Sequence, residues 1–241
     1  MSLDRRLSGL SFATPLPPTA GLGIAWISAG VTDIQGRNSA GEKTTMMQTG
    51  EDALMISFAQ RILPWFSFGA NIKILQNQLP INESYKGSGI GFDIGFLIRS
   101  GKSTTVGLMI QDLNSMYNWD SGDLYAEGRI YSEYFPTIYR FGTKFIYKSI
   151  LVVADAGFIT NYRVGKEVSE DTFVNLSPRI GIEYTYMDLY YIRGGLGNGR
   201  IAFGWGLEYD LIKDHDSRID YTFSMDWASQ LAHTLSYGFN F

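Results

Sequence analysis

Apolar residues alternate with small or charged ones along most of this chain, and a side-chain period of two fits extended strands, not helices. The clearest run sets Ile90, Phe92, Ile94, Phe96 and Ile98 against Gly91, Asp93, Gly95, Leu97 and Arg99. The same split sets Ile201, Phe203, Trp205, Leu207 and Tyr209 against Ala202, Gly204, Gly206, Glu208 and Asp210. Phe66, Phe68, Ala70, Ile72 and Ile74 stand against Ser67, Gly69, Asn71 and Lys73 in the same way. One side of each strand is greasy and the other is small or charged, so the two sides meet different solvents. The last segment alternates Leu231, His233, Leu235, Tyr237, Phe239 and Phe241 with smaller residues, ending on an aromatic as outer-membrane barrels commonly do.

Such segments predict about thirteen strands, centred near Gly9, Ala25, Ile56, Gly69, Ile94, Leu108, Phe141, Ala156, Gly181, Tyr191, Gly204, Thr222 and Leu235. Short connections such as Leu63-Pro64, Gly101-Lys102 and Met187-Asp188 alternate with longer ones. The latter include Asp33 to Gly50, Gln76 to Lys86, Asn114 to Tyr131, Arg163 to Asp171 and Gly195 to Gly199. Short periplasmic turns and longer outer loops are the pattern of an antiparallel transmembrane β-barrel, an all-β fold. The chain reads as a single such domain over residues 1–241. An even strand number implies about fourteen strands in the complete barrel, so a signal peptide and a first strand are expected upstream of Met1.

Composition narrows the alternatives. Hydrophobic residues make up 45%, but charges interrupt every apolar run well before the ~20 residues that a spanning helix needs. A helical membrane protein is therefore excluded. Aromatics at 15% and 27 glycines suit twisted strands with aromatic interface belts. A net charge of −4 and no basic cluster offer no footprint for nucleic acid. With no cysteine there is neither a disulfide nor a thiolate metal site.

No constellation for catalysis emerges, and no enzyme activity or cofactor is expected. The two histidines, His215 and His233, lie apart, and Asp214-His215-Asp216 reads as a solvated turn in preference to a metal site. The oxygen-rich stretch Asn118 to Asp123 lacks the spacing and closing Glu of a calcium loop. Gly194 to Gly199 lies between two strands, so it reads as a hairpin loop and not a phosphate cradle. More informative are the charges on the non-greasy side. Lys73, Asp93, Arg140, Lys144, Asp155, Arg179, Glu183, Arg193, Glu208 and Asp220 are expected to line the lumen, with Arg99, Asp210 and Asp226 beside them. A charge facing lipid near the midplane costs about 2 to 4 kcal/mol, which fixes the greasy side outward. Mixed signs suit either a paired network that fills a narrow lumen or one that lines a route through it.

The run Asp52 to Gln60, followed by Phe68 to Lys73 and Gly91 to Phe96, resembles the PorV/PorQ family of FadL-like outer-membrane barrels. Val106 to Ile110, Tyr191 to Gly195, Gly204 to Gly206, Ile219 to Phe223 and His233 to Phe241 continue that resemblance nearly to the end. An amino-terminal glycine-rich segment and Asn-Pro-Ala box of that family are missing. The resemblance implies a non-enzymatic barrel in the bacterial outer membrane, associated with type IX protein secretion as a cargo carrier or tether. Its partners would be outer-membrane lipid and secretion components or secreted cargo. The wider FadL-like group implies instead a channel for hydrophobic small molecules. From another class, a soluble β-sandwich could bind carbohydrate on Trp119 or Trp227 as stacking platforms.

Overall fold

A computed structural model describes residues 5–80, 86–123, 127–160, 174–212, 215–226 and 231–240. The first six strands are β1 (Arg5–Leu16), β2 (Ala20–Arg37), β3 (Lys43–Leu63), β4 (Phe66–Gln78), β5 (Lys86–Ser100) and β6 (Thr104–Leu113). Two short strands follow, β7 (Met116–Asp120) and β8 (Ile130–Tyr134). The remainder are β9 (Thr137–Tyr147), β10 (Ile150–Thr160), β11 (Val174–Tyr186), β12 (Tyr190–Gly197), β13 (Arg200–Ile212), β14 (His215–Asp226) and β15 (Leu231–Phe239). Each of the expected strand centres lies inside one of these elements. The hydrogen-bonded order follows the chain from β1 to β6 and from β9 to β15, with β6 beside β9 and with β7 and β8 off this path. One continuous up-and-down antiparallel sheet is the fold of a β-barrel and not of a two-sheet sandwich.

Contacts group the chain into two units, one of Met1–Phe96, Met109–Ile138 and Thr160–Phe173, the other of Leu97–Leu108, Tyr139–Ile159 and Val174–Phe241. In both, the greasy side of the sheet is open. Ile90 is 52% exposed in the first and Phe203 61% in the second. Apolar surface on this scale would not be left in water, and a hydrocarbon solvent accounts for it. Among the described residues the buried apolar core is only Leu75, Tyr117 and Trp119, and it lies on the opposite, polar side.

Three connections differ from expectation. The stretch Asp33 to Gly50 is mostly strand, because β2 and β3 run on past the greasy band to a turn at 38–42. At 18 and 21 residues these strands far exceed the ~9–11 that cross a bilayer. Trp26 donates to Asp52 at 3.1 Å, an aromatic with a polar handle of the kind that sits at a membrane interface. A register shift between Val31 and Ile34, with Asp33 at φ 58°, carries the ladder through the polar segment. Of Gly195 to Gly199, the first three residues end β12 and only Asn198-Gly199 makes the turn, with φ 52° and 70°, the left-handed pair that a type I′ hairpin demands. Asn114 to Tyr131 forms much of the β7–β8 hairpin and is no free loop. Trp119 is thereby 5% exposed and unavailable as a stacking platform, whereas Trp227 lies outside the described residues. So do the expected Arg163 to Asp171 loop and the side chains of Asp210 and His215.

Candidate functional site

The polar side of the sheet carries two sets of charged side chains, one in each unit. In the first, strand register places Ser57 opposite Asn71 and Met55 opposite Lys73. Ser57 donates to Asn71 Oδ1 at 3.0 Å and Asn71 Nδ2 donates to Asp93 Oδ2 at 2.9 Å. Lys73 Nζ lies 2.6 Å from Asp93 Oδ1 and also contacts Asp112. The Asp112 amide donates to Asp93 Oδ1 at 2.9 Å. Both lobes of the Asp93 carboxylate are thus filled, which is what a carboxylate only 5% exposed needs.

Asp112 was not among the expected lumen residues, and the reason is local. Alternation from Leu108 and Ile110 assigns it to the greasy side. Its left-handed backbone, φ 58°, breaks the period and turns the carboxylate toward Lys73. Asn114 is left-handed as well, at φ 52°, so the chain leaves the plane of the sheet at the end of β6.

Beyond this corner the β7–β8 hairpin lies across the polar side of β5. Its seat is glycine at alternate positions. A Cβ on Gly87 would meet the Trp119 ring at 2.7 Å, one on Gly89 would collide with the Met116 carbonyl, and one on Gly91 with Ser115. Only hydrogen allows so close a backbone approach. Tyr117 and Trp119 pack on Leu75 of β4, with Ala53, Leu79 and Phe135 around them. The Tyr117 ring lies 5.0 Å from Phe135 and 5.8 Å from Trp119, centroid to centroid. Trp119 Nε1 donates to Glu133 at 3.1 Å across the hairpin. Burial, reinforced by nearby Glu51 and Glu133, pushes the Tyr117 phenol up to about 12, so it stays neutral at any physiological pH.

In the second unit the charges lie in cross-strand rows. Asp155 on β10 receives Arg140 from β9 at 2.6 Å and Arg179 from β11 at 3.1 Å. Glu183 and Arg193 are direct register partners and form an ion pair, and Arg193 reaches Asp220 at 2.5 Å. Arg218 adds a contact to Asp220 at 3.0 Å and stacks over the Tyr191 ring at 4.3 Å, while Tyr191 donates to Glu208 at 2.6 Å. Lys144 is exposed on β9 and joins neither set among the described residues. Arg218 and Tyr191 were missed from sequence, Arg218 because it adjoins a predicted turn.

Between two charged rows lies a row of small residues, Gly181, Gly195, Ala202 and Ser224, paired in register across β11 to β14. With Val153 and the Asp155–Arg179 pair at its rim, it forms an open depression of about 290 Å³. Its floor is glycine backbone, the Ala202 methyl and the Ser224 hydroxymethyl group, with Arg200 also lining it.

No protein-family model matches the chain, and no characterised protein matches it by sequence. Solved structures do match by fold. The toluene transporter TodX of P. putida superposes with a TM-score of 0.64 at 14% identity, covering 97% of this chain and 82% of its own. The Ralstonia pickettii toluene transporter TbuX gives 0.64 at 13% identity, covering 97% and 80%. A Pseudomonas aeruginosa FadL homologue gives 0.62 at 11%, covering 90% and 69%. Two of these neighbours are named as toluene transporters and the third as a FadL homologue. They bear out the FadL-like half of the sequence resemblance and carry nothing for its PorV/PorQ secretion half. The chain has the all-β fold of the FadL-like outer-membrane barrels.

Proposed function

We propose that this protein is a non-enzymatic outer-membrane channel for hydrophobic small molecules. The observation that carries this reading is the fold likeness to TodX and TbuX over nearly the whole chain. The polar side of the sheet is then the lumen, lined by Lys73, Asp93, Arg140, Lys144, Asp155, Arg179, Glu183, Arg193, Glu208 and Asp220. Ion pairing neutralises most of these charges locally, which leaves no wide single-sign field to draw in ions. The small-residue depression in the second unit supports apolar cargo, since its glycines, Ala202 and Val153 give apolar contact area with few polar groups.

Uptake of a labelled monoaromatic hydrocarbon by intact cells tests the proposal. Cells carrying the gene should accumulate the label faster than a deletion strain, and complementation should restore the rate. Equal uptake with and without the gene rejects the channel. A secretion role would show instead as copurification with secretion components under mild solubilisation.

A further inference from the structure

The open depression of about 290 Å³ lies wholly within the second unit, and its floor and its margin differ in chemistry. The two-residue turn Lys148-Ser149 joins β9 to β10, which sets Tyr147 opposite Ile150 and therefore Lys144 opposite Val153. A Cβ on Gly142 would lie 3.2 Å from the Asp155 Cβ, and one on Gly181 3.1 Å from Val153, as that register requires. The floor row thus runs Lys144, Val153, Gly181, Gly195, Ala202 and Ser224. The margin row beside it runs Asp155, Arg179, Gly197, Arg200 and Asp226.

The floor is flat and apolar. Gly181 and Gly195 leave bare backbone at its centre, so a planar ring can approach closer than any Cβ would allow. Val153, although on the polar side, is 38% exposed and gives this floor an aliphatic wall.

The margin carries more cations than carboxylates. Lys144, Arg179 and Arg200 bring three positive charges to the depression, against Asp155 and Asp226, and Asp155 is shared with Arg140. Arg179 and Arg200 keep 40% and 57% of their side chains exposed, and Arg200 meets Asp226 only at 3.5 Å. Gly197 stands between them in the row, where a Cβ would run into the Arg179 stem, and no carboxylate separates the two arginines. On the opposite margin Glu183 is already paired with Arg193. A neutral hydrocarbon would cover the floor and leave these guanidiniums unused. An inorganic anion would do the reverse.

We propose that the depression is a binding site for a small aromatic carboxylate, its ring on the glycine floor and its oxygens on Arg179 and Arg200. The inference deepens the channel reading, on which it rests for taking the polar side as open to solute. Guanidinium forks suit a planar carboxylate, since each offers parallel N–H donors to its two oxygens. A shallow apolar bed with a few convergent polar groups fixes orientation as small-molecule sites commonly do.

Equilibrium dialysis of radiolabelled benzoate against the purified full chain in non-ionic detergent tests the site. Benzoate should bind saturably, and benzyl alcohol, which has the same ring without the charge, at least about tenfold more weakly. Arg200→Gln should weaken benzoate several-fold and leave benzyl alcohol unchanged. Ala202→Phe, which fills the depression from the floor, should abolish binding of both. Lys43→Ala, on the first unit, should bind as the unaltered protein does. Heat-modifiable migration on gels confirms that each variant is folded. Absence of saturable benzoate binding overturns the proposal. So does equal affinity for benzyl alcohol, or undiminished benzoate binding by folded Arg200→Gln and Ala202→Phe. Benzoate binding without hydrocarbon uptake by cells would reject the neutral-hydrocarbon channel and uphold the site, whereas uptake without benzoate binding would reject the site alone.

Discussion

Each unit pairs carboxylates with Lys or Arg on the polar side of its own strands, yet the two sets differ in exposure. In the first, Lys73 and Asp93 have side chains 10% and 6% exposed beneath the β7–β8 hairpin. In the second, Arg193 and Glu183 keep 25% and 20%. Water screens the second set and leaves the first to its own partners. An ion pair's worth is therefore set by what lies over it, more than by the residues that form it.

The largest expected effect breaks the covered set. Lys73→Met leaves the buried Asp93 carboxylate, and the partly exposed Asp112 beside it, without their cation, and should cost about 3 kcal/mol. Urea titration of the protein refolded in vesicles measures it. A loss no greater than that of Glu183→Gln would abolish the contrast between the units. Next comes the outward side of the second unit, where Phe203→Arg should cost about 2 to 4 kcal/mol near the midplane and block assembly in vivo. Normal insertion of that variant would mean the faces are assigned the wrong way round.

Glu183→Gln sharpens the comparison from the other direction. Arg193 retains Asp220, and the site is partly wet, so the loss in the same titration should be about 1 kcal/mol. A loss as large as that of Lys73→Met would show the second set to be as dry as the first. Lys43→Ala, at the exposed start of β3, should fall within about 0.5 kcal/mol of the unaltered protein. It gives the baseline against which the other three are read.

Much of this was legible in the sequence. Alternation located the strands from β1 to β6 and from β9 to β15 and told their two sides apart, because a strand's period is a property of consecutive residues and needs no partner. The joining of Asp155 to arginines on both neighbouring strands was not legible, since pairing depends on register. The β7–β8 hairpin was read as an outer loop because its polar and aromatic residues alternate over too few positions to mark a strand. A signal did exist in Gly87, Gly89 and Gly91, whose even spacing on one side announces a close approach without naming what approaches.

By itself, then, the sequence determined an all-β chain with a greasy side for lipid and a charged side away from it, since burying charge in hydrocarbon costs more than any local preference can offset. Tertiary structure alone decided which charges meet and which of them are covered. Asp112 shows why: one residue in a left-handed conformation reverses the side to which alternation assigns it, and only the folded neighbours, Lys73 and Asp93, make that reversal favourable.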